Sequence, residues 1–210
     1  MPRIDDYLQA KQLAAERLSK EPLGELIERS GFDTFDEQTI KASFLNRIYK
    51  ISYPSFAFQD ISSEDLQTPI QEHVLILHYL QGSGKAEATD VWITYREIPD
   101  ASFYYSAFIK RAIEPLKKVF GQNLTGFTAA ARQLGGKRIS HGDAAFEFKI
   151  FPKVAIRIIL WKADEEFPPE ANILFDKSIA RILSPEDIAW LCGLFVYRLI
   201  GIARKGPEDS

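Results

Sequence analysis

The chain has 210 residues, 46% of them apolar, with 26 basic side chains against 29 acidic ones and a formal charge of -3. That length and apolar fraction suffice for one packed globular domain, and the balance of charge excludes a global positive field of the kind that draws phosphate backbones or anionic membranes. A single cysteine, Cys192, excludes an internal disulfide and any cysteine-only zinc or iron–sulfur site within the chain.

The opening segment MPRIDDYLQAKQLAAERL carries charge in every turn and no apolar leader core, and no later run reaches the eighteen or so apolar residues of a membrane helix. A soluble, cytoplasmic protein without nucleic-acid or membrane partners is expected. Residues 4 to 29 place Ile4, Leu8, Leu13, Leu18, Leu23 and Ile27 among charges, interrupted near Pro22. This predicts two helical pieces sharing one apolar stripe, ended by Ser30-Gly31. From Thr39 to Phe58 the pattern turns aromatic and β-branched around a polar Asn46-Arg47, which predicts a hairpin closed by Pro54 with its outer edge blunted by Arg47 and Lys50.

Thr68-Pro69-Ile70-Gln71 reads as a helix start with Thr68 as the cap, and Ile70, Val74, Leu77 and Leu80 as the buried face. Gly82-Ser83-Gly84 stops that helix. A short strand over 91–95 precedes a helix from Phe103 to Phe120, bent at Pro115 and stopped by Gly121. Another helix spans about Thr125 to Leu134. Residues 145–150 and 154–161 alternate as two strands joined through Phe151-Pro152-Lys153, the clearest hairpin in the chain. Ser184-Pro185-Glu186-Asp187 then caps a last helix whose stripe is Ile188, Leu191, Cys192, Phe195 and Leu199.

Strands arrive as adjacent pairs between helices, without regular strand–helix alternation. The expected class is therefore α+β, with antiparallel hairpins forming a sheet packed against several helices. The expected organisation is one domain over 1–204, on which the helical segment 1–31 packs, followed by a disordered tail over 205–210.

Four phrases together resemble a prokaryotic domain family of unknown function. They are LILHYLQG from Leu75, WITYREIPDASFYYSAF from Trp92, GDAAFEFKIFPKVAIRIILWKADEEFPPEANILFD from Gly142, and LSPEDIAWL from Leu183. The resemblance implies a setting in anaerobes, where some members are fused to a four-cysteine iron–sulfur module of the type seen in corrinoid proteins. It therefore implies a link to anaerobic one-carbon or corrinoid metabolism. With Cys192 alone, this chain departs from the fused members and holds no such cluster.

The candidate site residues fall in three groups. Asp164, Glu165 and Glu166 follow the end of a buried strand and Asp176 returns ten residues later, so Asp164, Glu166 and Asp176 offer the hard oxygens a cation wants. The competing reading is a solvated strand exit, with Asp164 or Asp176 capping a helix or pairing with Arg157 or Arg181. Trp92, Tyr104 and Tyr105, with the neighbouring Tyr95, Phe103 and Phe108, read either as core or as walls for a flat ligand. His78 reads as a boundary histidine or as an axial ligand to a corrinoid or haem metal. It lies five residues from His73, a rotation of about 140°, so the two do not share a metal. His141 and Asp143 flank a turn glycine, which offers an imidazole beside a carboxylate. Gly82-Ser83-Gly84-Lys85 follows a helix and lacks the spacing of a phosphate loop.

Three functions follow from these groups. One is an accessory protein binding a flat cofactor through His78, Trp92, Tyr104 and Tyr105. The second is an enzyme using Asp143, His141, Asp164 and Glu166 around a metal or as general acid and base. The third is an interaction module that docks a protein partner on its acidic corner.

Overall fold

A computed structural model describes residues 4–62 and 68–205. The fold is α+β, with an antiparallel four-stranded sheet and a second, five-stranded sheet. By its internal contacts the chain divides into two compact units. The first comprises residues 1–87 with two short returns, 150–153 and 181–183. The second comprises the remaining segments, 88–149, 154–180 and 184–210.

The first unit begins with α1 (Ile4–Leu18) and α2 (Leu23–Ser30), broken at Pro22 as the sequence predicts. Gly31 closes α2 in the left-handed conformation, φ 69°, and its N–H bonds the Ile27 carbonyl. The single apolar stripe does not form. Ile4, Leu8 and Leu13 are exposed, while Ala14, Leu18 and Leu26 face the core. The steps of five residues in the series 8, 13, 18 each rotate by about 140°, so those side chains cannot share one face. The sheet is a meander of β1 (Asp33–Asp36), β2 (Thr39–Phe44), β3 (Arg47–Ser52) and β4 (Ala57–Asp60). Ile40 lies opposite Ile51 and Ala42 opposite Tyr49, all fully buried, as the period-two alternation requires. Because β4 pairs with β3, Arg47 and Lys50 stand on an interior strand and guard no edge; the edges are β1 and β4.

Helix α3 (Ile70–Gly82) is buried on nearly every side, from Glu72 to Leu77 and again at Tyr79 and Leu80. Pro69 is its N-cap, and the Thr68 hydroxyl, expected to cap it, instead lies 2.6 Å from Nε2 of His73. Gly82 is required where α3 ends, since a Cβ there would sit 1.9 Å from the Ile182 carbonyl oxygen. The returning segment 150–153 supplies Phe151, whose ring stacks on Tyr79 at 4.3 Å and on Phe44 at 5.1 Å.

In the second unit the strand order is β5 (Trp92–Thr94), β9 (Glu170–Asp176), β8 (Val154–Trp161), β7 (Ala144–Phe151) and β6 (Lys137–Arg138). The buried face carries Phe146, Phe148, Ile156, Ile158, Ile173 and Phe175. Burial of each such side chain stabilises by about 1.5–3 kcal/mol relative to exposure. Helices α6 (Leu124–Gln133) and α8 (Pro185–Lys205), the latter following the short α7 (Ile179–Ile182), complete this core, with Phe195 edge-on to Phe148 at 4.6 Å. Ser184 and Asp187 cap α8 reciprocally, and the expected stripe from Ile188 to Leu199 is buried. Cys192 lies fully inside, and burial pushes its thiol up, so it behaves as a small hydrophobe. Residues 206–210, most of the expected tail, lie outside the described residues.

The segment predicted as one helix over 103–120 is composite. A 3-10 turn (Ala101–Phe103) leads into α4 (Tyr105–Phe108), a π turn (Ile109–Ile113) and α5 (Glu114–Phe120). Pro115 has no N–H to give, and just ahead of it the Glu114 N–H reaches back five residues to the Ile109 carbonyl. The widened turn packs on α8 where Gly193 leaves room, since a Cβ there would lie 3.2 Å from that of Arg111. Among the described residues, no helix is long and apolar enough to cross a membrane.

Candidate ligand cleft

Strand β9 has seven residues, and β5 pairs with only the last three, Leu174, Phe175 and Asp176. The chain leaves the sheet after Thr94 because a capped 3-10 turn (Tyr95–Glu97) diverts it. Glu97 accepts the Thr94 N–H at 2.7 Å and the Thr94 hydroxyl at 2.8 Å, bonds that hold its carboxyl below the usual range. The other half of β9 is left beside a cleft of about 400 Å³. Tyr95 and Phe108 form the floor, stacked in parallel at 4.3 Å, and the π turn supplies Ile109 and Ile113 as a wall.

Polar groups ring this apolar floor. The Arg96 guanidinium sits over the Tyr105 ring, 4.2 Å from its centre. Lys117 pairs with Glu170 at 3.3 Å, and Asn172 and Thr94 complete the margin. The Tyr95 hydroxyl donates to the Pro185 carbonyl at 2.7 Å, which fixes the ring. Burial pushes that phenol well up, so it remains a hydrogen-bond donor and never a base. Chemically, the cleft can clasp a planar ring and offer it both cationic and amide-type partners.

Of the aromatic residues singled out by sequence, Tyr105 lines the cleft. Tyr104 donates its hydroxyl to Glu186 at 3.3 Å, and that nearby carboxylate raises its phenol. Trp92 lies under the Arg157 guanidinium at 3.7 Å, and Arg157 is in turn held by Glu147 at 2.8 Å. His78 belongs to the first unit, half-buried on α3.

Asp164 and Asp176 are engaged by the protein's own donors. Asp164 accepts the N–H groups of Glu166 and Phe167 at 2.9 and 2.7 Å, which shapes the turn after β8, and the Glu166 side chain points to solvent. Asp176 is buried and accepts from Thr89 (N–H and hydroxyl), Asp90 and Ser178 at 2.7–3.1 Å. Burial works against its ionisation, but the bonds from Ser178 and Thr89 outweigh it and hold the carboxyl low. His141 lies edge-on to Trp161 at 6.0 Å, and Asp143 accepts the Lys162 N–H at 2.7 Å. Both border a shallow cavity of about 390 Å³ with Arg138 and Ser140. Among the described residues, no three or more His, Cys, Asp or Glu side chains group closely enough to hold a metal ion.

A family model described as "Domain of unknown function (DUF3786)" matches residues 22–198. The chain belongs to that family. The DUF3786 match begins just ahead of α2 and ends within α8, so it includes the cleft and leaves α1 outside. No curated protein matches the chain, and no solved structure does.

A second polar cluster within the DUF3786 region has no counterpart in the sequence reading. In the first unit Tyr49 donates to Glu72 at 2.6 Å, Arg47 is ion-paired with Asp60, and Arg47 Nε lies 3.8 Å from Glu72. The Asp60 and Glu72 side chains are 0% and 1% exposed. Beside them His73 stacks on Phe58 at 4.0 Å, with its Nδ1 unpartnered among the described residues. Burial, aided by the Lys11 ammonium, pushes the imidazole down to about 4. The signal is the strand register that sets Tyr49 opposite Asp60, which no local motif encodes. Arg96, Lys117 and Asn172 also escaped the sequence reading, because each is an ordinary surface residue until β9 and the π turn bring them to one cleft.

Proposed function

We propose that this chain is an accessory binding protein for a flat, ring-bearing cofactor, seated in the cleft beside β9. The observation that carries the reading is the convergence of a parallel Tyr95–Phe108 floor with Tyr105 under Arg96 at the mouth of one cavity. The family resemblance supports an anaerobic, corrinoid-linked setting, so a corrinoid or haem is the first ligand to try. A macrocycle is wider than a cleft of about 400 Å³ and would lay one edge in it.

Protein purified anaerobically from its natural host should show a tetrapyrrole-like absorption band with stoichiometric cobalt or iron. Apoprotein titrated with cobalamin or haemin should perturb that spectrum, less so in Tyr105→Ala. A colourless, metal-free protein that neither compound perturbs would overturn the tetrapyrrole reading.

A further inference from the structure

The open half of β9 narrows the ligand's chemistry beyond flatness, given that the cleft is the binding site. In an antiparallel strand, successive residues turn their N–H and C=O alternately to one neighbour and to the other. Ala171 and Asn172 are adjacent, lie opposite Leu160 and Ile159 of β8, and both border the cleft. One of the two therefore directs its N–H and C=O away from β8. Among the described residues no strand pairs on that side of them, and no loop backbone bond reaches them. A donor and an acceptor, side by side at a strand's spacing, thus face the cavity. Groups of this kind are costly to leave unpaired when a ligand excludes water.

The charge at the rim is asymmetric. Lys117 is compensated by Glu170 at 3.3 Å. Arg96, which sits over the ring of Tyr105, has no ion pair or hydrogen bond among the described residues, so its planar fork of donors is open to an anion.

We propose that the cleft binds a planar heteroaromatic ring bearing a lactam edge and an anionic tail. The ring lies on Tyr105 and Phe108, its adjacent N–H and C=O pair with the open backbone of β9, and its carboxylate or phosphate meets Arg96. No covalent step is involved. An amide-like edge matches the alternating donor and acceptor of a strand, which a hydrocarbon ring does not.

The test is calorimetric titration of the full chain with flavin mononucleotide and guanosine monophosphate, and with folate for the carboxylate-tailed class. Riboflavin and guanosine serve as counterparts without the tail, and N3-methyl flavin mononucleotide blocks the lactam N–H. At least one tailed compound should bind, and losing the tail should weaken it roughly tenfold to a hundredfold, the worth of a charge-assisted contact. Arg96→Ala should cause the same loss, Arg96→Lys should recover part of it, and N3-methylation should weaken the flavin. Arg96 is exposed, so these variants keep the fold. Equal binding of tailed and tail-free compounds, or full binding by Arg96→Ala, overturns the proposal. If haemin or cobalamin binds in a Tyr105-dependent way while every lactam compound fails, this inference falls and the cofactor reading stands; if no ring compound binds, both fall.

Discussion

Two arginines show how differently the units use charge. Arg47, in the first unit, has a side chain 16% exposed, is ion-paired with the buried Asp60, and approaches the buried Glu72, which also accepts from Tyr49. Arg96, in the second, is exposed, sits over the ring of Tyr105, and has no ion pair or hydrogen bond among the described residues. The first guanidinium is consumed inside the protein, where it neutralises carboxylates that would otherwise be too costly to bury. The second rests on a ring and is left unneutralised, a charge ready for a ligand to meet. Stability and binding should therefore respond to the two residues in opposite ways.

The largest effect is expected at the buried end of that contrast. Arg47→Ala strands two buried carboxylates and should cost about 3–5 kcal/mol in urea unfolding; a loss under about 1 kcal/mol would mean that water reaches the cluster. The neighbouring His73 sharpens the point through pH. Its folded value of about 4 lies below the 6.5 of a free imidazole, so the unfolded chain binds a proton that the folded chain refuses. This contribution is present in full above pH 6.5 and is lost as pH falls through the window down to about 4, a decline of about 2–4 kcal/mol. His73→Phe should flatten the stability curve across that window, and an unchanged slope would refute the assignment.

Asp176 tests whether the second unit has an internal charge hub of its own. Asp176→Asn replaces one accepting oxygen by an amide that faces N–H donors, and should cost about 2–3 kcal/mol by thermal or urea unfolding. Retention of wild-type stability there would argue that its bonds to Thr89, Asp90 and Ser178 are made only weakly. The smallest effect closes the comparison. Arg96→Ala should leave stability within about 0.5 kcal/mol of the wild type, as befits an exposed side chain, and a large loss would mean that Arg96 is structural after all.

Much of the fold was legible because its signals are local. Pro22 and Gly31 mark helix ends, the alternation around Phe151-Pro152-Lys153 marks a hairpin, and Ser184 with Asp187 marks a cap. Strands β1 and β9 were missed for a physical reason. DTFD is exposed at all four positions and so has no inward face to alternate, and EANILFD opens with polar residues after two prolines. Missing β9 meant missing the cleft, since the open edge exists only relative to the short β5. Tyr105 stood out by its ring, whereas Arg96, one residue beyond Tyr95, carries no mark in sequence of the stack it makes. Asp176 was visible as a carboxylate after an apolar run, but its donors Thr89 and Asp90 lie far back in the chain.

The return of Phe151 to the first unit has a consequence for synthesis on the ribosome. Its ring fills the space between Tyr79 and Phe44, so residues 1–87 emerge with an aromatic vacancy at the centre of their core. At typical translation rates the missing ring follows after several seconds or more. Throughout that interval the nascent first unit is an incomplete core in need of shelter, and a fragment cut at residue 87 would stay in that condition permanently.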